Sequence, residues 1–116
     1  VCVHLSLREG DRRRQLDLLC DLVAARVPAQ APLVVAGDFN DWRRRAHAVL
    51  QRRAGLHEVH VAARGRAATT FPALLPLLQL DRIYVRNARR HRPLDLPRHP
   101  WAHLSDHAPL AAEVHL

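Results

Sequence analysis

The sequence predicts an α/β fold, and three observations support that class. Strand-like and helix-like segments alternate through the first half of the chain, which is typical of α/β proteins. The last third holds two strand-like segments with no helix between them, which favours an antiparallel arrangement and an α+β character. Hydrophobic residues make up 48% of the 116 residues, enough for the core of one small domain or part of a larger one.

The first two elements are predicted to be a strand and an amphipathic helix. Val1–Leu7 alternates between two faces, as a strand does. Residues 12–27 have helical periodicity, Asp11 is the expected N-cap, and Pro28 ends the helix. The residues expected on the buried face of this helix are Leu16, Leu19, Cys20, Val23 and Val27.

The next two elements are predicted to be a buried strand and a short helix. Leu33–Ala36 is an unbroken apolar run, which is typical of a strand that is buried on both faces. It leads directly into the polar segment Gly37–Asn40. Arg43–Arg53 follows as a short helix with three inward residues, and Gly55 ends it. Those inward residues are Ala46, Val49 and Leu50.

The second half of the chain is less regular. His57–Ala62 is expected to be an edge strand, and two prolines predict irregular structure over 71–79. Asp81–Val85 is predicted to be a strand, and residues 86–100 a basic, proline-containing loop. Leu110–Leu116 is the expected last strand.

The chain is strongly basic, with 18 arginines, no lysine and a net charge of +7. Arginine binds phosphate through a planar fork of donors, so an anionic partner is one interpretation. Codon usage in a GC-rich genome is the other, and the two are compatible. No apolar run approaches the roughly 18 residues of a transmembrane helix. No secretory leader opens the chain, so a cytoplasmic location is expected.

Polar side chains that can carry chemistry occur at four places, each at the end of a predicted strand or on one. A carboxylate after an apolar run is often only a helix cap, but four such places in one short chain favour a shared site. Carboxylates suit Mg²⁺, an imidazole beside a carboxylate is an oriented acid or base, and an amide donates to a phosphate oxygen. The candidate residues are His4, Asp38, Asn40, Asp81, Asp106 and His107.

Four motifs in order carry a family resemblance. They are Val3–Leu7 with Arg14-Gln15-Leu16, Gly37-Asp38-Phe39-Asn40, Leu80–Val85, and Ser105–Leu110. Together they resemble the C-terminal half of the endonuclease/exonuclease/phosphatase, or DNase I-like, superfamily. The resemblance covers residues 1–116 and implies a four-layer α/β sandwich, of which only about half is present. It is nearest to uncharacterised bacterial members.

The resemblance implies a catalytic role for each histidine and its carboxylate partner. His107 is similar to the histidine that acts as base or stabilises the scissile phosphate, and Asp81 to the carboxylate that orients it. His4 is similar to the second histidine, which protonates the leaving group in nuclease-like members.

The resemblance also implies a set of metal and substrate contacts. Asp106 is similar to a metal ligand. Asp38 is similar to the carboxylate that positions the attacking water or reaches the metal through water. Asn40 is similar to the amide that holds a phosphate oxygen. The implied reaction is attack of water on phosphorus with Mg²⁺, or Mn²⁺, as cofactor.

The family's metal-binding Glu lies in an N-terminal half that has no counterpart here. We therefore expect the complete protein to be a phosphate-ester hydrolase, and this chain alone to be inactive or nearly so. Nucleic acid, phospholipid and inositol phosphate all stay open as substrates, and no obligate protein partner is evident. The alternative interpretation is a non-catalytic anion-binding fragment or pseudoenzyme that binds nucleic acid or an acidic membrane.

Overall fold

The computed structural model describes residues 1–116 and contains two sheets. The larger sheet has four strands in the order β1-β2-β4-β3, and the smaller pairs β5 with β6. A short 3₁₀ turn at Trp101–His103 precedes the last strand. The strands are β1 Cys2–His4, β2 Leu33–Asp38, β3 His57–Glu58, β4 Asp81–Arg86, β5 Arg90–Leu94 and β6 Ala111–His115, and the helices are α1 Glu9–Arg26, α2 Arg45–Ala54 and α3 Val59–Arg64.

The predicted α/β class is confirmed, and the larger sheet is mixed. β1 runs parallel to β2, while β4 runs antiparallel to both β2 and β3. β1 and β2 are joined through α1, which supplies the crossover that a parallel pair requires. β6 does pair with an antiparallel strand, but its partner is β5, which was not predicted, and not the Asp81–Val85 strand that the sequence suggested.

Helix α1 begins earlier than its periodicity predicts. The N-cap is Arg8, and Asp11 lies within the first turn, so the prediction of an Asp11 cap was wrong. Glu9 and Asp11 place two negative charges at the positive end of the helix dipole, which helps to explain the earlier start. The predicted buried face is correct, because Leu16, Leu19, Cys20 and Val23 are buried and Val27 packs against the core.

The hydrophobic core lies between the larger sheet and helices α1 and α2. Val35 and Tyr84 are fully buried on this face, and Phe39 meets the Tyr84 ring edge-on at 5.1 Å between centroids. The opposite face of β2 is only half-buried at Val34 and Ala36. The prediction that this strand is buried on both faces was therefore wrong for the chain as described.

Two segments of the second half differ from the sequence prediction. Only His57–Glu58 is strand, and helix α3 follows at once because the Glu58 carboxylate accepts a hydrogen bond from the Val61 amide and caps the helix. Residues 86–100 are not all loop, since Arg90–Leu94 forms β5. Pro93 is tolerated there because a two-stranded sheet leaves one side of β5 without a ladder to donate to. As predicted, 71–79 is irregular. None of the helices is long and apolar enough to span a bilayer.

Gly37 lets β1 and β2 approach each other closely, one residue before Asp38 at the end of β2. Its φ is +141°, and a Cβ at this position would overlap the backbone carbonyl oxygen of Val3. A side chain at Gly37 would therefore have to push the two strands apart.

We expect Gly37→Ala to lower the free energy of unfolding by about 3 kcal/mol, because the added methyl displaces backbone rather than a mobile side chain. Gly10→Ala is the matched control, since a Cβ at Gly10 in α1 meets nothing within 4 Å. Urea unfolding of the full-length variants measures both values. Equal stabilities for the two variants would contradict the close approach at Gly37.

Candidate active site

A cavity of about 710 Å³ lies at one edge of the larger sheet, beside the loop that precedes β6. All six candidate residues from the sequence line it, so the structure brings the whole predicted set together. The rest of the lining is apolar or aromatic and consists of Leu7, Trp42, Phe71, Leu78 and Leu80.

The convergence follows from strand direction and register. β1 and β2 are parallel and end at His4 and Asp38, while the antiparallel β4 begins at Asp81, so the three residues reach the same edge. His4 pairs with Asp38 in the register, and Asp38 pairs with Asp81. Paired residues point to the same face of a sheet, so the three side chains share one face.

His107 and Asp81 form the shortest side-chain contact in the cavity. The distance from His107 Nδ1 to Asp81 Oδ2 is 2.7 Å, and both side chains are partly buried. Because a carboxylate only accepts, this bond assigns the proton to Nδ1 and leaves Nε2 for a reacting group. The His107 amide donates to Ser105 Oγ at 3.1 Å, and the Phe71 ring packs 5.1 Å from the imidazole.

The surrounding carboxylates raise the pKa of His107 above its ordinary value. Partial burial acts against the charged imidazolium, but the hydrogen bond to Asp81 and the negative charges of Asp81, Asp38 and Asp106 outweigh it. The imidazole is therefore more easily protonated than a free histidine.

Asp38, Asp81 and His107 could hold a divalent cation. One ligand atom from each lies within 4.8 Å of the other two. The two carboxylates suit a hard cation such as Mg²⁺ and leave coordination positions for water and substrate, whereas the imidazole is the softer donor of the three. His4 Nε2 lies 3.6 Å from Asp38 Oδ2, at the exposed side of this group. Asp106, predicted to be a metal ligand, lines the same cavity but is exposed and lies outside the group of three.

Asn40 is held firmly at the base of the cavity. Its Nδ2 donates to the Leu5 carbonyl oxygen at 2.7 Å, and its backbone N–H donates to Asp38 Oδ1 at 2.8 Å. The residue has a φ of +47°, in the left-handed region that Asn tolerates better than most residues. One hydrogen of the Asn40 side-chain amide therefore links the ends of β1 and β2. The predicted contact between Asn40 and a phosphate oxygen of the substrate stays a prediction.

Two structural residues of the site were not found from the sequence. Asp41 and Arg82 follow Asn40 and Asp81 directly, and both are buried. The Arg82 guanidinium donates to the Asp41 carbonyl oxygen at 2.5 Å and lies 3.5 Å from its carboxylate. Strand alternation could have identified Arg82 from the sequence, because it places Arg82 on the face of β4 opposite to Asp81.

Comparison with known proteins agrees with this geometry. The sequence matches the Endonuclease/Exonuclease/phosphatase family over residues 1–107. The chain belongs to the endonuclease/exonuclease/phosphatase family. It is 54% identical over all 116 residues to the uncharacterised protein YbhP of Escherichia coli and covers 46% of that protein. The chain thus spans about half the length of the curated relatives that it matches.

Solved structures of the family share the fold. The human Nocturnin catalytic domain with a bound sulfate anion superposes with a TM-score of 0.57 at 26% identity, over 97% of this chain and 46% of that one. A mannosyl-6-phosphatase of Bacteroides thetaiotaomicron superposes with a TM-score of 0.69 at 18% identity, over 99% of this chain and 50% of that one. The sequence prediction of a partial DNase I-like domain is confirmed.

We expect Asp81→Asn to lower the pKa of His107, because the substitution removes the negative charge on the group that binds Nδ1. The His107 Cε1 proton, followed by NMR titration of the full-length protein in EDTA, measures the change. The control is His57→Gln, a substitution at an exposed position of β3, which should leave the pKa of His107 unchanged. A rise in the pKa of His107 in Asp81→Asn would contradict the assigned hydrogen bond.

Proposed function

We propose that the complete protein hydrolyses a phosphate ester by attack of water on phosphorus, with Mg²⁺ or Mn²⁺ as cofactor. The observation that carries the proposal is the convergence of Asp38, Asp81 and His107, whose ligand atoms lie within 4.8 Å of one another in an open cavity. Histidine beside carboxylates is the combination that water-mediated phosphoryl chemistry requires.

His107 and Asp81 are proposed to act as a pair. The Asp81 carboxylate fixes the imidazole through Nδ1, so Nε2 can take a proton from water or stabilise the phosphate. Asp38 is proposed to position the attacking water, and Asn40 to donate its second amide hydrogen to a phosphate oxygen. His4 lies at the exposed edge, where it can protonate a leaving alcohol.

The metal is proposed to bind at the carboxylate cluster. Asp38 and Asp106 are the predicted ligands, and the geometry adds Asp81 to the carboxylates within reach. A bound Mg²⁺ would neutralise charge that develops on the phosphate oxygens during reaction. Further ligands are expected from the N-terminal half, so activity is proposed for the complete protein and not for these 116 residues alone.

The substrate class is proposed only as a phosphate ester. Nucleic acids, phospholipids and inositol phosphates all present a tetrahedral phosphorus with anionic oxygens, which is all that the six polar residues can recognise. The cytoplasmic location stays a prediction from the sequence.

The alternative of a metal-independent anion binder fits the cavity less well. Asp38, Asp81 and Asp106 all line it, and three carboxylates repel a phosphate group unless a cation lies between them. A pure anion site would instead surround the phosphate with arginines or backbone amides.

We expect His107→Ala in the full-length protein to lower kcat for bis(p-nitrophenyl) phosphate by at least about a hundred-fold, because the acid–base group is removed. Asp106→Ala is expected to abolish the metal-dependent hydrolysis. His57→Ala and Asp95→Ala are matched controls, since both residues are exposed and lie outside the cavity. Activity retained in both His107→Ala and Asp106→Ala would overturn the proposal.

We expect EDTA to remove the activity of the full-length protein and Mg²⁺ or Mn²⁺ to restore it, because the cluster supplies oxygen ligands that suit hard cations. Asp38→Asn should raise the Mg²⁺ concentration needed for half-maximal rate by about ten-fold or more, since one carboxylate charge is lost. Hydrolysis that persists in EDTA after dialysis would contradict a metal-dependent mechanism.

A further inference from the structure

The irregular segment 71–79, which we term the leucine loop, exposes several large apolar side chains. Leu74, Leu75 and Leu77 are 60%, 66% and 67% exposed. Three neighbouring leucines in water are unusual for one short loop, and exposed apolar groups that cluster in this way mark interaction surfaces.

The leucine loop is a fixed structure. The Leu77 and Leu78 amides both donate to the Phe71 carbonyl oxygen, at 2.9 and 2.8 Å, and the Leu75 amide donates to Pro72 at 3.1 Å. The Ala73 amide donates to the Asp106 carbonyl oxygen at 2.7 Å, which ties the loop to the active-site segment. The leucines are therefore held outward by backbone hydrogen bonds.

A second apolar group adjoins the leucine loop. Arg98 donates from its guanidinium to the Leu74 carbonyl oxygen at 2.7 Å, which brings the 96–104 segment against the loop. In that segment Trp101 is 41% exposed and Leu104 is 67% exposed. Tryptophan and leucine beside an arginine form the combination found where proteins meet the headgroup region of a bilayer.

Basic side chains outnumber acidic ones at this surface. Residues 65–80 and 96–104 contain Arg66 and Arg98 and no acidic residue, the neighbouring Asp95 is paired with Arg64 at 2.8 Å, and Asp106 is the other exposed acidic neighbour. The whole chain carries a net charge of +7. Such a surface complements anionic lipid headgroups, which attract arginines near a membrane.

The leucine loop also borders the candidate active site. Phe71, at the base of the loop, packs against the His107 ring, and Leu78 and Phe71 both line the site cavity. A bilayer that received the loop would thus bring lipid phosphates next to the cavity.

We propose that the leucine loop, together with Trp101, Leu104 and Arg98, is a docking surface for an anionic lipid bilayer. The choice of a membrane-borne phosphate ester as the substrate class rests on the proposed function. Docking itself depends on the exposed leucines and on Arg98, and it is measurable without hydrolysis.

The test measures co-sedimentation of the full-length protein with vesicles of phosphatidylcholine, with and without phosphatidylglycerol. Leu75→Gln/Leu77→Gln removes two apolar groups that do not line the site cavity. The matched control is Leu18→Gln/Leu22→Gln, because these leucines of α1 are also exposed, at 59% and 49%. Hydrolysis of soluble bis(p-nitrophenyl) phosphate and the circular dichroism spectrum are recorded for each protein.

We expect the wild type and the α1 control to bind the vesicles that contain phosphatidylglycerol, and the loop variant to bind about ten-fold more weakly or worse. All three should hydrolyse the soluble ester equally. Absence of wild-type binding, equal binding by the loop variant, or a wild-type dimer that the loop variant turns into a monomer would each overturn the docking surface. Loop-dependent vesicle binding without any hydrolysis would instead refute the proposed function and leave docking intact.

Discussion

The buried contact between Arg82 and Asp41 is the interaction on which the site geometry depends. Both side chains are about 1% exposed, and the guanidinium also donates to Tyr84 Oη at 3.3 Å and to the Gln79 carbonyl oxygen at 3.2 Å. The Asp41 carboxylate accepts from the Arg45 and Ala46 amides at 3.0 and 2.7 Å, at the start of α2. One ion pair thus fixes the segment after β2, the start of α2 and the start of β4 relative to one another. Removing one partner of such a pair costs about 3–5 kcal/mol, because the other charge stays buried.

Strand alternation turns Asp81 and Arg82, which are neighbours in β4, to opposite faces of the sheet. Asp81 points into the cavity and Arg82 points to the core face, so the strand that supplies one carboxylate of the candidate site also anchors the segment that follows Asp38. The separation between the two carboxylates is therefore set by backbone and by a buried ion pair. Catalytic groups held by such rigid elements lose little freedom when a metal or substrate binds.

The parts that the sequence predicts are those with a local signal. The long helix, β2, α2 and β4 follow from periodicity or apolar runs, and the six site residues follow from polar positions on or beside predicted strands and from the four motifs. β5 was missed because Arg90–Leu94 is polar and contains a proline, and only its pairing with β6 makes it a strand. Helix α3 was read as strand because its start depends on the Glu58 cap, which six residues of pattern do not reveal. The Arg82–Asp41 pair joins positions 41 residues apart, a distance at which one sequence carries no contact information.

The distribution of charge links the two proposals. The chain has a net charge of +7, yet its candidate site gathers three carboxylates at one edge of the sheet. The basic surface attracts an anionic membrane or substrate over a Debye length, while the carboxylates oppose the final approach of a phosphate. A divalent cation at the cluster reverses that local opposition. Under the proposed function, arginine would draw the anionic ester to the surface, and the cavity would admit it only with the cation bound, so the metal would be a condition for binding the substrate as well as for the chemistry.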